Sequence, residues 1–224
     1  MPFDIIGIFL LAYLIGSIPF GYIIVKLTTG KDIRTVQSGR TGGTNTMRAA
    51  GFWAGLVTAL LDILKGAVSV YIARLHPSFQ NPWLLIIIPL LVIVGHNYSI
   101  FMLSKKATGK IKLGGGAGGA ACLGGSLGLW WPSSIIVLII GILIFYFVGY
   151  ASVTTMSIAL SSTFIFALRA VNIDASWAYA AYGLVAEILL IISLRPNIQR
   201  LKEGTERLHG FRARKLKELT NQSS

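Results

Sequence analysis

The chain has 224 residues, of which 54% are hydrophobic and only 12% are charged. Ordinary soluble domains carry roughly 25% charged residues, and a soluble fold could not bury this much apolar surface. The composition therefore excludes an ordinary soluble domain and predicts an integral membrane protein. The formal net charge of +12 does not predict nucleic-acid binding, because the basic residues fall between apolar segments and follow membrane topology instead.

Seven apolar segments predict an all-α, multi-pass bundle of about seven transmembrane helices. Most approach the ~20 residues that a helix needs to cross ~30 Å of hydrocarbon. The fourth segment is shorter and rich in glycine, so we expect a short, tilted or partly re-entrant helix sheltered by its neighbours. In chain order the segments are residues 3–27, 52–75, 83–103, 117–131, 133–150, 153–171 and 177–194.

The basic residues predict the orientation of the bundle. Residues 26–48, 105–112 and 195–217 together hold 17 of the 20 Lys and Arg residues. Seven crossings place these three regions on one side, and the positive-inside rule makes that side cytoplasmic. The N-terminus is then outside and the C-terminus cytoplasmic.

The region after the last segment divides the chain. Residues 1–210 are predicted to form the membrane domain and residues 211–224 a basic cytoplasmic tail. We expect the tail either to lie on anionic headgroups or to be disordered. No metal or other cofactor is predicted, because Cys122 is the only cysteine and the three histidines lie far apart in the sequence.

The first basic loop, residues 30–48, combines glycines, small hydroxyls, an amide and arginines. Glycine lets backbone N–H groups approach an anion closely, and arginine offers a planar fork of donors suited to phosphate. The loop is either a phosphate cradle or a flexible positive-inside connector, and its composition does not decide between them. Its candidate phosphate ligands are Arg34, Ser38, Gly42, Thr44, Asn45 and Arg48.

A second polar stretch joins two lysines to the glycine run 114–119. Each glycine would cost ~1 kcal/mol in a helix interior, so the run predicts close backbone approach, either to a ligand or to other helices. The candidate ligands here are Lys110, Lys112, Gly114, Gly115 and Gly116.

Two charged residues lie inside the second segment. Asp62 and Lys65 are three positions apart, so they share one helical face and predict a buried ion pair, with positioning of the polar loops as the functional alternative. His96 closes the third segment and is expected to be a hydrogen-bonding anchor. The sequence has no His-x4-Asp pair, Walker A loop or G-x-S-x-G motif, so the His/Asp base of many acyl transfers is not expected.

Taken in order, these stretches resemble the PlsY family of membrane acyl-phosphate:glycerol-3-phosphate acyltransferases. The resemblance covers nearly the whole chain and rests on the order and spacing of individually weak motifs. They are Gly16-Ser17-Ile18-Pro19, Gly30-Lys31-Asp32-Ile33-Arg34, the Ser38-Gly39, Gly42, Thr44-Asn45, Arg48 and Gly51 pattern, Asp62-x-x-Lys65-Gly66, Gly95-His96 and Arg195-x-Asn197-Ile198-x-Arg200-Leu201-x-x-Gly204-Thr205-Glu206.

The resemblance implies a seven-helix bundle in the bacterial inner membrane, with its active face in the cytoplasm. It implies transfer of a fatty acyl group from acyl phosphate to the sn-1 hydroxyl of glycerol 3-phosphate, giving lysophosphatidic acid and phosphate for phospholipid synthesis. Membrane lipids and an enzyme that supplies acyl phosphate are the expected partners. Carried over by position, Ser38 and Arg48 are catalytic residues that hold phosphate, and Asn197 is a polar binding residue at the end of the last segment.

The chain departs from the family pattern at several positions. The family's K-G-G-K-G motif aligns with residues 114–118, which contain neither lysine, and Lys110 and Lys112 are the candidates to replace them. The other departures are Leu194 in place of histidine, Ser99 in place of proline, Arg40 in place of asparagine and Gly43 in place of alanine. This pattern indicates a divergent paralogue. The alternatives to an active enzyme are a catalytically impaired phosphate- or lipid-binding protein and a small membrane transporter.

Overall fold

The computed structural model describes residues 2–105, 109 and 111–222. Within these ranges the chain is mostly helical, as the sequence predicts. The helices are α1 (Pro2–Ser17), α2 (Phe20–Thr29), α3 (Gly43–Ala50), α4 (Phe52–Arg74), α5 (Pro82–Leu85), α6 (Ile87–Asn97), α7 (Gly119–Leu129), α8 (Trp131–Phe147), α9 (Ala151–Ile173), α10 (Trp177–Lys202) and α11 (Gly210–Gln222). Two 3-10 turns, Ile33–Thr35 and Pro77–Gln80, and an antiparallel hairpin of β1 (Ser99–Lys105) and β2 (Ile111–Gly114) complete the described elements.

Four helical stretches in the described ranges are long and apolar enough to cross a bilayer: Phe3–Thr29, α4, α9 and α10. Pro19 separates α1 from α2 within the first of them, because proline lacks an N–H donor and its ring clashes with the preceding turn. Three shorter apolar helices accompany them, Pro82–Asn97, α7 and α8. Helix α7 has 11 residues and is largely buried, in agreement with the short, sheltered helix predicted there. Seven crossings stay a prediction.

The outward-facing surface of the bundle is apolar. Leu60 on α4, Ile142 on α8 and Ile188 on α10 are each more than half exposed. Asp62 and Lys65 are buried instead, at 1% and 4% exposure. An apolar exterior around a core that contains charged groups is typical of a helix bundle in lipid.

Helices α4 and α7 approach so closely that only glycine fits between them. A Cβ added at Gly124 would lie 2.0 Å from the carbonyl oxygen of Ile63, and one at Gly66 would lie 2.7 Å from that of Ala121. Lipid chains are as apolar as a protein core, so close backbone packing through small residues drives helix association in membranes. This contact fixes α7 and, with it, the glycine run that precedes it.

The all-α prediction misses the hairpin, and the helix predicted to reach residue 103 ends at Asn97. The backbone N–H of Gly116 donates to the carbonyl oxygen of His96 at 2.8 Å, so a distant loop meets the end of α6. Beyond a bulge that follows Ser99, Lys105 pairs with Ile111 across the hairpin. The contacts that end the helix come from residues downstream, which explains why the local apolar pattern does not reveal its end.

The described part of the tail is ordered. Helix α11 begins at Gly210, which has a φ of +62° and packs against the backbone of Tyr146. The disordered alternative is therefore wrong for residues 211–222. Contact of α11 with anionic headgroups stays a prediction.

We expect Gly124→Val to destabilise the protein by about 1–3 kcal/mol, because the new side chain would collide with the backbone of α4. Cys122 is buried, so a thiol-reactive dye reports unfolding of the detergent-purified protein on heating. Gly7→Val is the matched control, since a Cβ at Gly7 meets nothing within 4 Å. Equal melting temperatures for the two variants would contradict the packing argument.

Candidate active site

A cavity of about 500 Å³ lies between the first basic loop, helices of the bundle and the residues that follow α10. Its lining divides by chemistry. The polar lining includes Ser38, Arg40, Thr44, Asn45, Arg48, Asp62, His96, Ser152, Asn197, Arg200, Glu206 and Arg207. The apolar lining includes Ala59 and Ile63 from α4, Leu123 from α7, Leu138 and Phe145 from α8, and Ile158 from α9. A molecule with an anionic head and an apolar chain matches both parts.

Asn45 holds the first basic loop in shape. Its Nδ2 donates to the carbonyl oxygens of Val36 and Arg40 at 3.0 Å each, and the side chain is 2% exposed. Its Oδ1 has no hydrogen-bond partner in the described part of the chain. Asn45 therefore organises the loop.

Arg48 lies in the last turn of α3 and reaches the tail of the protein. Its Nη2 is 2.8 Å from Nε2 of His209, whereas its buried Nε has no hydrogen-bond partner among the described residues. Burial lowers the pKa of the Arg48 guanidinium, and the positive charge of Arg207 lowers it further. An anion beside Arg48 would offset both effects and take up the free donor.

Arg40 ties the first basic loop to the glycine run and to α10. Its Nη1 donates to the carbonyl oxygen of Gly116 at 3.2 Å and to Oγ of Ser193 at 3.1 Å, and its Nη2 donates to the carbonyl oxygen of Ser193. The backbone N–H of Thr41 adds a bond to the carbonyl oxygen of Gly115 at 3.2 Å. The first basic loop, the glycine run and α10 thus meet at one guanidinium.

A buried charge network adjoins the glycine run. The Nζ of Lys65 is 2.8 Å from Oδ1 of Asp62, 2.9 Å from Nδ1 of His96 and 3.1 Å from the carbonyl oxygen of Ile18. The predicted Asp62–Lys65 pair is confirmed, and His96 joins it. A Cβ at Gly116 would lie 2.0 Å from Nε2 of His96, so the glycine run passes where only a bare backbone fits.

The C-terminal part of the cavity wall is organised by Glu206. Its buried carboxylate accepts from the backbone N–H of Ser152 at 3.3 Å, from the Ser152 hydroxyl and from Nδ2 of Asn197 at 3.3 Å. A carboxylate at the N-terminus of α9 satisfies an N–H group that has no intrahelical partner and interacts favourably with the helix dipole. Oδ1 of Asn197 is buried and has no hydrogen-bond partner within the described ranges.

The charges along the cavity favour an anion. Four arginines contribute to its lining, Arg40, Arg48, Arg200 and Arg207. Two carboxylates lie near them: Asp62 is already paired with Lys65, and Glu206 balances a single positive charge. A phosphate monoester carries about −1.5 to −2 charge at pH 7 and suits such an excess of guanidinium groups.

The structure brings half of the sequence candidates to the cavity, namely Ser38, Gly42, Thr44, Asn45, Arg48 and Asn197. The others lie elsewhere. Arg34 forms an ion pair with Asp32 at 2.6 Å, Lys112 is exposed on β2, and Gly114, Gly115 and Gly116 pack at the hairpin and the end of α6 outside the cavity lining. Lys110 lies outside the described residues.

Several cavity residues are absent from the sequence candidates. Arg200 and Glu206 stand in the last motif of the resemblance, so their spacing from Asn197 could have identified them. Arg40 differs from the asparagine of the family pattern, which gives no sign of its role. His209, which contacts Arg48 from outside the cavity lining, is connected with it by no local pattern. These contacts span 153 positions for Arg40 with Ser193 and 161 for Arg48 with His209.

Comparisons with known proteins agree on one family. The family model described as glycerol-3-phosphate acyltransferase matches residues 6–204. Two similar proteins, both with the name glycerol-3-phosphate acyltransferase, come from Thermus thermophilus and Thermotoga petrophila. The Thermus thermophilus protein is 36% identical, and the match covers 91% of this chain and 94% of that protein. The second is 37% identical, covering 88% and 93%.

Two crystal structures of PlsY, described as an integral membrane glycerol 3-phosphate acyltransferase, share the fold. The glycerol 3-phosphate form superposes with a TM-score of 0.79 at 29% identity, and covers 92% of this chain and 96% of that chain. The lysophosphatidic acid form has a TM-score of 0.76 at 27% identity, with the same coverage.

The stability of the protein should fall as the pH drops from about 6.5 to about 4. Burial, together with the charges of Arg48 and Arg207, lowers the pKa of His209 from 6.5 to about 4. In this window the unfolded chain binds a proton at His209 that the folded chain does not, so the contribution of His209 to stability is full above pH 6.5 and is lost on acidification. Melting followed by circular dichroism should show a shallower pH slope for His209→Gln than for His76→Gln, and equal slopes would contradict this assignment.

Proposed function

Because the chain belongs to the glycerol-3-phosphate acyltransferase family, we infer that it transfers a fatty acyl group to glycerol 3-phosphate and forms lysophosphatidic acid. It is an integral membrane enzyme of phospholipid synthesis. The observation that carries this inference is the cavity, in which four arginines adjoin an apolar lining from α4, α7, α8, α9 and α10. The arginines suit the phosphate of the acceptor, and the apolar lining suits a fatty acyl chain.

We propose that the acyl donor is an acyl phosphate and that the acceptor is the sn-1 hydroxyl of glycerol 3-phosphate. The hydroxyl oxygen attacks the acyl carbonyl carbon, the bond from that carbon to the phosphate oxygen breaks, and the proton passes to the departing phosphate. An acyl phosphate is already activated, so a covalent intermediate on the protein is not required. The leaving phosphate also takes the place of a His/Asp base, which suits the absence of that pair from the sequence.

In this proposal the arginines bind and orient the two phosphates, so that the hydroxyl and the acyl carbonyl meet in a reactive geometry. Arg48 offers its free Nε to phosphate, and Ser38 also lines the cavity. The unpartnered Oδ1 of Asn197 accepts a hydrogen bond from a glycerol hydroxyl. Arg40 is the cation that contacts the glycine run, where the resemblance leads one to expect lysine.

The proposed setting is the bacterial inner membrane, with seven crossings, an outside N-terminus and the cavity open to the cytoplasm. The contacts of Arg40 with Gly116 and Ser193 support this sidedness, because they bring the first basic loop, the glycine run and the part of α10 that precedes the third basic region to one place. Donor and product then exchange with the cytoplasmic leaflet. A separate enzyme would supply the acyl phosphate.

The donor is tested by purifying the protein in detergent and measuring release of inorganic phosphate from palmitoyl phosphate in the presence of glycerol 3-phosphate. We expect turnover that depends on both substrates, together with formation of lysophosphatidic acid. Arg48→Ala should raise the KM for one phosphate substrate by roughly tenfold to a hundredfold, because a charge-assisted hydrogen bond is lost. Arg214→Ala, in the exposed part of α11, is the matched control and should behave as the wild type.

Binding of glycerol 3-phosphate without turnover would favour the impaired paralogue. Turnover with palmitoyl-CoA alone would reject acyl phosphate as the donor. Accumulation of labelled glycerol 3-phosphate inside sealed proteoliposomes, without acyl transfer, would favour the transporter.

Sidedness can be measured by cysteine labelling in intact cells, on a background in which Cys122 is replaced by serine. Lys31 and Lys112 are exposed in basic regions, whereas Gln80 is exposed beyond the opposite end of α4. We expect a membrane-impermeant maleimide to label Gln80→Cys, and to label Lys31→Cys and Lys112→Cys only after permeabilisation. Labelling of Lys31→Cys and Lys112→Cys from opposite compartments would eliminate the proposed pocket.

A further inference from the structure

His209 lies beyond residues 6–204, the part of the chain that the family model matches, yet it contacts a cavity residue. Its Nε2 is 2.8 Å from Nη2 of Arg48, 161 positions earlier in the chain. This contact joins the C-terminal segment to the first basic loop. It leaves the Nε of Arg48 buried and without a hydrogen-bond partner in the described part of the chain.

His209 is held both by its ring and by its backbone. It stacks on Phe145 of α8 with a centroid distance of 5.1 Å and an interplanar angle of 25°. The backbone N–H of His209 donates to the carbonyl oxygen of Gly149 at 2.8 Å. Gly149 has a φ of +82°, and a Cβ there would lie 2.6 Å from the carbonyl oxygen of His209, so the two backbones meet where a side chain does not fit.

The residues on either side of His209 are anchored as well. Glu206 binds the N-terminus of α9 through Ser152. Arg212 donates to the carbonyl oxygen of Val148 at 3.3 Å and lies over the ring of Tyr150. Residues 206–212, which we term the strap, therefore cross the connection between α8 and α9 with contacts along their length. A segment fixed in this way can hold an imidazole in one place.

We propose that His209 is a positioning residue for the acyl transfer: its ring accepts a hydrogen bond from Nη2 of Arg48 and turns the guanidinium so that Nε faces a substrate phosphate. The proposal rests on the proposed function, since it requires a phosphate beside Arg48. The charged groups around this contact are Arg48 itself from α3, Arg200 from α10, and Arg207 and Glu206 from the strap, while α8 contributes the uncharged face of Phe145. Arg200 and Arg207 repel Arg48, and the hydrogen bond to the ring of His209 opposes this repulsion.

The test measures both KM values and kcat in the phosphate-release assay. His209→Ala should raise the KM for the phosphate substrate that Arg48 binds by about fivefold to tenfold, with kcat changed by less than about twofold, because the guanidinium loses the contact that orients it but keeps its charge and its donors. His209→Gln should stay within about twofold of the wild type, since its amide oxygen can accept from Arg48. His76→Ala is the matched control: His76 lies beside the turn Pro77–Gln80, outside the cavity lining.

A double mutant separates positioning from a general loss of structure. If His209 acts through Arg48, then His209→Ala adds no further rise in KM on an Arg48→Ala background. Unchanged KM values in His209→Ala, equal losses in the alanine and glutamine variants, or an undiminished further rise on the Arg48→Ala background would each overturn the proposal.

Equilibrium binding keeps this test independent of catalysis. The same variants are titrated with radiolabelled glycerol 3-phosphate and with palmitoyl phosphate, and one dissociation constant should rise for His209→Ala by the same factor as the KM. A wild-type protein that releases no phosphate would refute the proposed function. Wild-type turnover with unchanged KM and dissociation constants in His209→Ala would refute the role of His209 alone.

Discussion

The rest of the site depends on one buried ammonium group. Lys65 contacts the carbonyl oxygen of Ile18, where Pro19 interrupts the first apolar stretch, as well as Asp62 of α4 and His96 of α6. A lone charge in the hydrocarbon region is costly, so these three contacts must be satisfied together. Removing one partner of a buried pair typically costs about 3–5 kcal/mol, whereas a complete network is tolerated. Lys65 therefore fixes the relative placement of three parts of the bundle.

The same network also positions the polar loops. His96 meets the glycine run, whose backbone packs where no Cβ would fit, and Gly116 in turn accepts from Arg40. The guanidinium of Arg40 also reaches Ser193 on α10. These contacts hold Arg40 in place. The positive charges of the cavity therefore stay near one another before an anion binds. Preorganised charge of this kind acts without further rearrangement when a substrate phosphate arrives.

The sequence predicts the membrane class, most helices and the Asp62–Lys65 pair, because each depends on composition or on spacing within one segment. It does not predict the pairing of β1 with β2, because the apolar pattern of α6 continues into β1 and the helix ends where Gly116, outside that pattern, contacts it. The same reason applies to the contacts of Arg40 with Ser193 and of His209 with Arg48, each of which joins positions more than 150 residues apart. Local periodicity carries no information about such contacts. Arg34 shows the converse. Its guanidinium is a suitable phosphate ligand by residue type, but in the structure it forms an ion pair with the neighbouring carboxylate of Asp32.

Arg40 offers a physical explanation of how residues 114–118 can lack the two lysines of the family motif. A lysine offers a single compact charge, whereas arginine offers five donors in a planar fork and can bind several acceptors at once. Arg40 uses that fork to bind the carbonyl oxygen of Gly116 and both the carbonyl oxygen and the hydroxyl of Ser193. These bonds join the first basic loop to α10. The positive charge of Arg40 still lines the cavity. A chain without lysine in the glycine run thus keeps a cation beside that run, held from the first basic loop, as the proposed phosphate site requires.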